Sequence, residues 1–345
     1  MRWPWSSRAV PLALALQGGG AHGAFTWGVL DRLLEEPGLG IGAISGTSAG
    51  ALNAVALAHG WCEGGREGAR ASLQRLWSAV GGRVPFELFT VGPAASPALN
   101  APARALMHWM RLVSPYQFNP LGLNPLREIV ADLVDFERLG AADAPRLFVA
   151  ATHANSGRLR LFGNAELGLD AVLASTCLPS LQPAVTIAGE PYWDGGYSAN
   201  PPLWPLLQTG IADLLIVALS PLSYPNAPVQ ADEIRERALE FAFNAAFLCE
   251  VRLLAEARAA AGAGAWPAGA LERRLRRLRT HLVDAHDDLG ALPAETRLIA
   301  QGAFLERLRD LGRARAERWL QQNGDAPGRR SSVDLARVFA PPPAA

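Results

Sequence analysis

Apolar positions change period several times along this chain, and the changes mark out its elements. Leu12 to Gln17 is a continuous, mainly apolar run that stops at glycine, the pattern of a strand covered on both faces. From Ala24 to Glu36 the apolar residues recur at helical spacing and end before Pro37-Gly38. Ile41-Gly42-Ala43-Ile44 is a second short strand-like run, and Ala51 to Ala58 reads as a buried helix. Two β–loop–α units in succession predict an α/β fold on a mostly parallel sheet, with reactive groups at the carboxyl ends of its strands.

Residues 66–80 are again helical in pattern, but 84–125 differ. Seven prolines interrupt an apolar stretch carrying Phe86, Phe89, Met107, Trp109 and Met110, so short pieces forming an insertion or cap are expected. Leu126–Val134 predicts a helix, 146–152 a strand with a hairpin partner at 158–162, 170–177 a short helix, and 185–187 a strand. Asp213–Leu219 predicts a final buried strand, where the sheet is expected to end. Helices follow at 232–261, 269–279 and 294–320, with a short strand near 281–285. Residues 1–11 read as a loose arm, 12–207 as the catalytic unit with 84–125 as its candidate cap, 208–322 as a last strand and helical extension on the same core, and 323–345 as a tail. There are no repeats.

The candidate chemistry sits where both early strands end. Gly46-Thr47-Ser48-Ala49-Gly50 lies between strand and helix, the setting of a nucleophile elbow. There the serine occupies a sharp turn, and glycines two residues to either side avoid collision with strand and helix. The helix that follows points its positive end at the serine oxygen. After the first strand comes Gly18-Gly19-Gly20-Ala21-His22-Gly23, whose Gly-x-Gly-x-x-Gly spacing also suits a dinucleotide. That reading needs an acid at the end of the second strand, where Ser45-Gly46-Thr47-Ser48 stands instead, and no Gly-Lys-Ser/Thr makes a phosphate loop. The competing reading is an oxyanion hole of converging amides at a helix mouth.

A serine nucleophile needs a base. Asp194, in Asp194-Gly195-Gly196, follows a strand, and its glycines let the carboxylate turn toward the elbow. His281 and His286 are the histidines placed for a serine, acid, histidine order, and His153 follows a strand. His22, His59 and His108 have no arguable acid partner.

Together the three motifs Gly18-Gly19-Gly20-Ala21-His22-Gly23, Gly46-Thr47-Ser48-Ala49-Gly50 and Asp194-Gly195-Gly196 resemble the patatin-like phospholipases over residues 12 to about 207. The resemblance implies a three-layer α/β/α sandwich and a Ser–Asp dyad without histidine, acting on lipid or phospholipid esters. Ser48 would be the nucleophile, Asp194 the base, and the amides of Gly18, Gly19 and Gly20 the oxyanion hole. His22 departs from the family, which usually has Arg or Lys there, and a neutral imidazole would weaken any role of that charge in anchoring an anionic head group. The alternatives are a Ser-Asp-His esterase using His281 or His286, and a non-catalytic lipid-binding protein.

Composition narrows the partners. Lys plus Arg and Asp plus Glu both number 32, which leaves no electrostatic footprint for nucleic acid. Cys62, Cys177 and Cys249 are widely spaced and are expected as reduced core thiols; no metal or other cofactor is expected. The apolar part of the N-terminus is too short for a signal peptide and no stretch could span a membrane, so a cytoplasmic protein is expected. Leu271-Glu272-Arg273-Arg274-Leu275-Arg276-Arg277-Leu278-Arg279 sets leucines against a cationic face, for which a plain solvated surface is the favoured reading and peripheral contact with an anionic membrane the alternative.

Overall fold

In the computed structural model, which describes residues 9–140, 144–224, 226–263 and 269–340, the first apolar run forms strand β1, Val10–Leu16. It is followed by β2 (Leu39–Thr47), β3 (Thr90–Val91), β4 (Ala98–Leu99), β5 (Arg146–His153) and β6 (Leu159–Gly163). The remaining strands are β7 (Val185–Ile187), β8 (Glu190–Asp194), β9 (Asp213–Ala218) and β10 (Arg279–Asp284). β3 and β4 pair only with each other; the rest form one sheet ordered β10-β9-β1-β2-β5-β8-β7, with β6 also on β5. From β10 to β5 the strands are parallel, and β6, β7 and β8 run against their neighbours.

The pleat of β1 explains its apolar run. Leu12, Leu14 and Leu16 enter the core on one face, and Ala13 and Ala15 enter the core on the other. The first face is covered by the helices Gly23–Leu34, Ala49–Arg83 and Gly302–Asn323, the second by Ala231–Ala263 and the short Trp204–Leu207 and Leu335–Val338. Helices on both faces of a mostly parallel sheet make the expected three layers. The Ala49–Arg83 helix bends at Gly64 and Gly65, where the backbone is not helical.

Several expectations shift. β1 starts at Val10, because Val10 and Pro11 already pair with Leu39 and Gly40; the expected arm shrinks, and Trp3, Pro4 and Trp5 lie outside the described residues. The sheet does not end with β9, since β10 adds a parallel edge strand along all six of its residues. The helix expected at 294–320 divides into a 3-10 turn, Ala294–Leu298, and the Gly302–Asn323 helix. Between them Ile299 turns inward to join a small apolar cluster with Leu99 and Ala103. Through residue 340 the tail is packed: Leu335 and Phe339 are buried, and the amides of Ser332 and Val333 bond to the carbonyl of Thr280 in β10. None of the three cysteines is joined in a disulfide among the described residues, but only Cys177 is buried and Cys249 is exposed.

Residues 84–125 do break into short pieces. These are the 3-10 turn Phe86–Leu88, the β3–β4 hairpin and the helices Ala101–Met110 and Pro115–Phe118, the last two each with proline in the first turn and a side-chain cap. Among the described residues no helix is long and apolar enough to cross a membrane.

Candidate active site

β2 leaves the sheet at Thr47, and Ser48 turns the chain with φ 55 and ψ −123 before the Ala49–Arg83 helix begins. A side chain held at positive φ is strained, and such strain persists only where the surroundings impose it. Here they do. A Cβ on Gly46 would lie 2.5 Å from the carbonyl oxygen of Gly50, and one on Gly50 would lie 2.1 Å from that of Leu16. The turn is pinned from three sides: Thr47 Oγ1 donates to the Ala199 carbonyl (2.8 Å), Ser45 Oγ to that of Pro202 (2.7 Å), and the Ser48 amide to Ser175 Oγ (3.0 Å).

Asp194 reaches this turn through strand pairing. Residues 148–150 of β5 pair with β6 on one edge and β2 on the other, while 151 and 152 pair with β6 and β8. β2 and β8 therefore share one edge of β5 and meet head to head, Thr47 opposite Ala150 and Asp194 opposite Ala151. Asp194 ends β8, which pairs with the strand expected at 185–187 (β7) as a tight hairpin through Ala188 (φ 51) and Gly189 (φ 85).

The Asp194 carboxyl group is fully buried. Oδ1 accepts the Gly196 amide at 2.8 Å, and Oδ2 has no hydrogen-bond partner among the described residues. Burial raises the pKa to about 7, against the lowering effects of the Gly196 amide and the Ser48 hydroxyl. Ser48 is thus close enough to act on the carboxyl group, although the two do not close a full hydrogen bond. Gly196 is pressed from behind by Phe243 of the Ala231–Ala263 helix, whose ring also packs on Tyr197 with centroids 4.5 Å apart.

The three glycines after β1 are not equivalent. The Gly18 amide, expected among the oxyanion donors, donates to Asn200 Oδ1 at 2.7 Å. Gly19 and Gly20 have amides without a partner among the described residues. Gly20 has φ +60, and a Cβ there would lie 2.2 Å from the Arg297 carbonyl oxygen. Gly23 packs against Ala49 and Trp77 and starts the helix whose positive end faces the loop.

His22 is buried, with Nε2 2.8 Å from Thr296 Oγ1. Burial, and then the Arg297 charge, lower its pKa to about 3, so it is neutral at physiological pH. The other histidines stand elsewhere. His281 binds Asp213, the first residue of β9, and Ser332, at the amino edge of the sheet, opposite the elbow. His286 follows β10, three strands from β2, a separation of about 14 Å at normal strand spacing. His153 is taken by Ser156 and Glu190. The basic helix Ala270–Arg277 leads into β10 and so also lies at the amino edge; its Leu275 is buried while Leu271 is exposed.

Sequence reading missed the residues that hold the site: Gln17, Ser175, Asn200, Asn244, Thr296 and Arg297. Only Gln17 carries a local signal, as the one polar residue ending an apolar strand. Its Oε1 accepts the amides of Leu219 and Ser220, and its Nε2 donates to Asn244 Oδ1 (2.9 Å).

A search of curated proteins gives no match. Among solved structures the chain is similar to VipD from Legionella pneumophila, with 15% identity and a TM-score of 0.38, over 89% of this chain and 67% of that one. It is also similar to ExoU of the Pseudomonas aeruginosa type III secretion system, solved with SpcU, with 18% identity and a TM-score of 0.31. That match covers 91% of this chain but 54% of the other, so the chain spans about half of that relative's length. Residues 14–207, more than half of the sequence, match the family model for patatin-like phospholipase. The chain is therefore a member of the patatin-like phospholipase family.

Proposed function

We propose that this protein is a serine acyl hydrolase that cleaves carboxylic esters of lipids or phospholipids through Ser48 and Asp194. The observation that carries the reading is the meeting of a strained serine with a fully buried carboxyl group whose second oxygen has no partner among the described residues. A carboxylate with a pKa near 7 is a far better base at neutral pH than an ordinary aspartate. Asp194 takes the Ser48 proton as Oγ attacks the ester carbonyl, returns it to the leaving alcohol, and then activates water against the acyl-enzyme. The amides of Gly19 and Gly20 stabilise the oxyanion, while Gly18, tied to Asn200, fixes the loop.

Lipid approach is assigned to the 84–125 segment as a cap. It is anchored to elements that surround the site: the Leu99 amide to Glu295 in the turn behind Gly20, Arg111 to Glu236 on the Ala231–Ala263 helix, and Tyr116 Oη to the amide of Ala184 beyond Cys177. Leu106, Trp109, Leu112, Leu121 and Leu123 all stand more than half exposed on it. Peripheral membrane contact belongs on this carboxyl edge and not on the basic helix, which faces the other way.

Turnover of a chromogenic ester and labelling by a fluorophosphonate test the function. Wild type should react in both assays, and Ser48→Ala and Asp194→Asn should not turn over substrate. A folded wild-type protein inert to both reagents, yet binding lipid, would favour the non-catalytic alternative.

A further inference from the structure

Behind the glycine loop a cavity of about 430 Å³ opens between the Ala231–Ala263 helix and the chain that follows β9. That size suits a small-molecule site. Neither Ser48 nor Asp194 lines it, and its floor is Gln17 and Asn244. Phe241, Phe247, Leu248 and Phe339 supply apolar walls.

One lining residue carries charge. The Arg237 guanidinium stacks on the Tyr224 ring 3.2 Å from its centroid, and among the described residues it has no ion pair or hydrogen bond. Glu240, one turn further along the helix, is paired with Arg297. A guanidinium stacked by its face keeps its N–H edge for a planar anion, and a carboxylate fits that edge with two parallel bonds. A single cation beside long apolar walls suits a singly charged amphiphile, whereas a nucleotide or polyphosphate would call for several positive charges.

We propose that this cavity is a second binding site, which takes a long-chain fatty acid with its carboxylate on Arg237 and its chain along Phe241, Phe247 and Leu248. The cavity adjoins the glycine loop, because the floor residue Gln17 precedes Gly18 and is tied to Asn244. The site does not require Ser48 to be a nucleophile.

Oleate, kept below its aggregation concentration, is titrated calorimetrically into the Ser48→Ala protein, which removes the nucleophile. Binding should occur, should weaken by at least about tenfold in Ser48→Ala/Arg237→Gln, and should recover in part with Arg237→Lys. Leu248→Trp, which fills the cavity, should also weaken it, and Arg252→Gln, an exposed arginine elsewhere on the helix, should not. Methyl oleate, lacking the charge, should bind no better to the parent than to the Arg237→Gln variant. Absence of oleate binding, or binding indifferent to both Arg237→Gln and Leu248→Trp in folded protein, would overturn the proposal. Residual ester turnover by Ser48→Ala would overturn the proposed function instead, so the two readings fail separately.

Discussion

The Gly18 amide donates to Asn200 Oδ1 at 2.7 Å, which ties the glycine loop after β1 to the segment that follows Asp194. The loop and the chain around Asp194 are thereby set relative to each other, and the Gly18 amide is engaged. Two variants separate these roles. Gly20→Ala places a methyl group against the Arg297 carbonyl at a backbone angle of φ +60 and displaces a free amide, so kcat should fall by on the order of a hundredfold. Asn200→Ala leaves both free amides in place and should cost about tenfold in kcat, with about 1–2 kcal/mol of stability lost with the hydrogen bond. Steady-state kinetics and denaturant melts check both, and a larger kcat loss for Asn200→Ala would return Gly18 to the donor set.

If Asp194 is the base, burial that raises its pKa to about 7 should set the pH dependence of turnover. Only the ionised form can take the serine proton, so kcat/KM for a neutral ester should rise through pH 7 and level off above it. A profile already flat at pH 5 would mean that Asp194 is ionised there and that its burial is relieved.

Stability should respond to the same group with a definite sign. Between 3.8 and about 7 the folded chain keeps a proton on Asp194 that the unfolded chain has released, so rising pH works against folding. At pH 8 the accumulated cost is on the order of 4 kcal/mol. His22 acts in the opposite direction: between about 3 and 6.5 the unfolded chain takes up a proton that the buried ring refuses, so rising pH favours folding. Asp194→Asn should therefore be more stable than wild type at pH 8, with a difference that shrinks toward pH 4. His22→Gln should lose the His22 contribution, so its stability should fall with pH more steeply than that of wild type across pH 4 to 6.5. Chemical denaturation across this range measures both.

Neither downstream histidine should matter for turnover. His286→Ala should retain wild-type kcat. His281→Gln should be less stable by about 1–3 kcal/mol, because it disturbs the buried contacts to Asp213 and Ser332, and should also keep its kcat. A folded His281 or His286 variant without activity would restore a triad.

Trp109 is half exposed on the Ala101–Met110 helix and Leu106 stands beside it. If this surface guides acyl chains, replacing both with alanine should reduce turnover of long-chain esters by about tenfold or more and leave butyrate esters within about twofold, since each buried methylene contributes about 0.8 kcal/mol. Equal losses on short and long esters would assign the segment to the fold alone.

Much of this architecture was legible because it is written in local periods. The apolar run of β1, the helical spacing from Ala24 onward and the glycines around Ser48 each follow from steric or hydrophobic rules acting over a few residues, and all three elements appear where the pattern puts them. The prolines of 84–125 likewise required short pieces.

What only the tertiary structure decided is long range. That Asp194 stands beside Ser48 rests on β2 and β8 sharing one edge of β5, a pairing between segments whose sequences do not encode each other. That the Gly18 amide is engaged depends on Asn200, 182 residues away. The neutral state of His22 depends on burial and on Arg297, and the back wall of the loop on Asn244 and Thr296, all beyond the segment that matches the family. Hydrogen bonds, burial and register between distant segments carry no period, so the sequence could name the candidate residues but not the contacts that surround them.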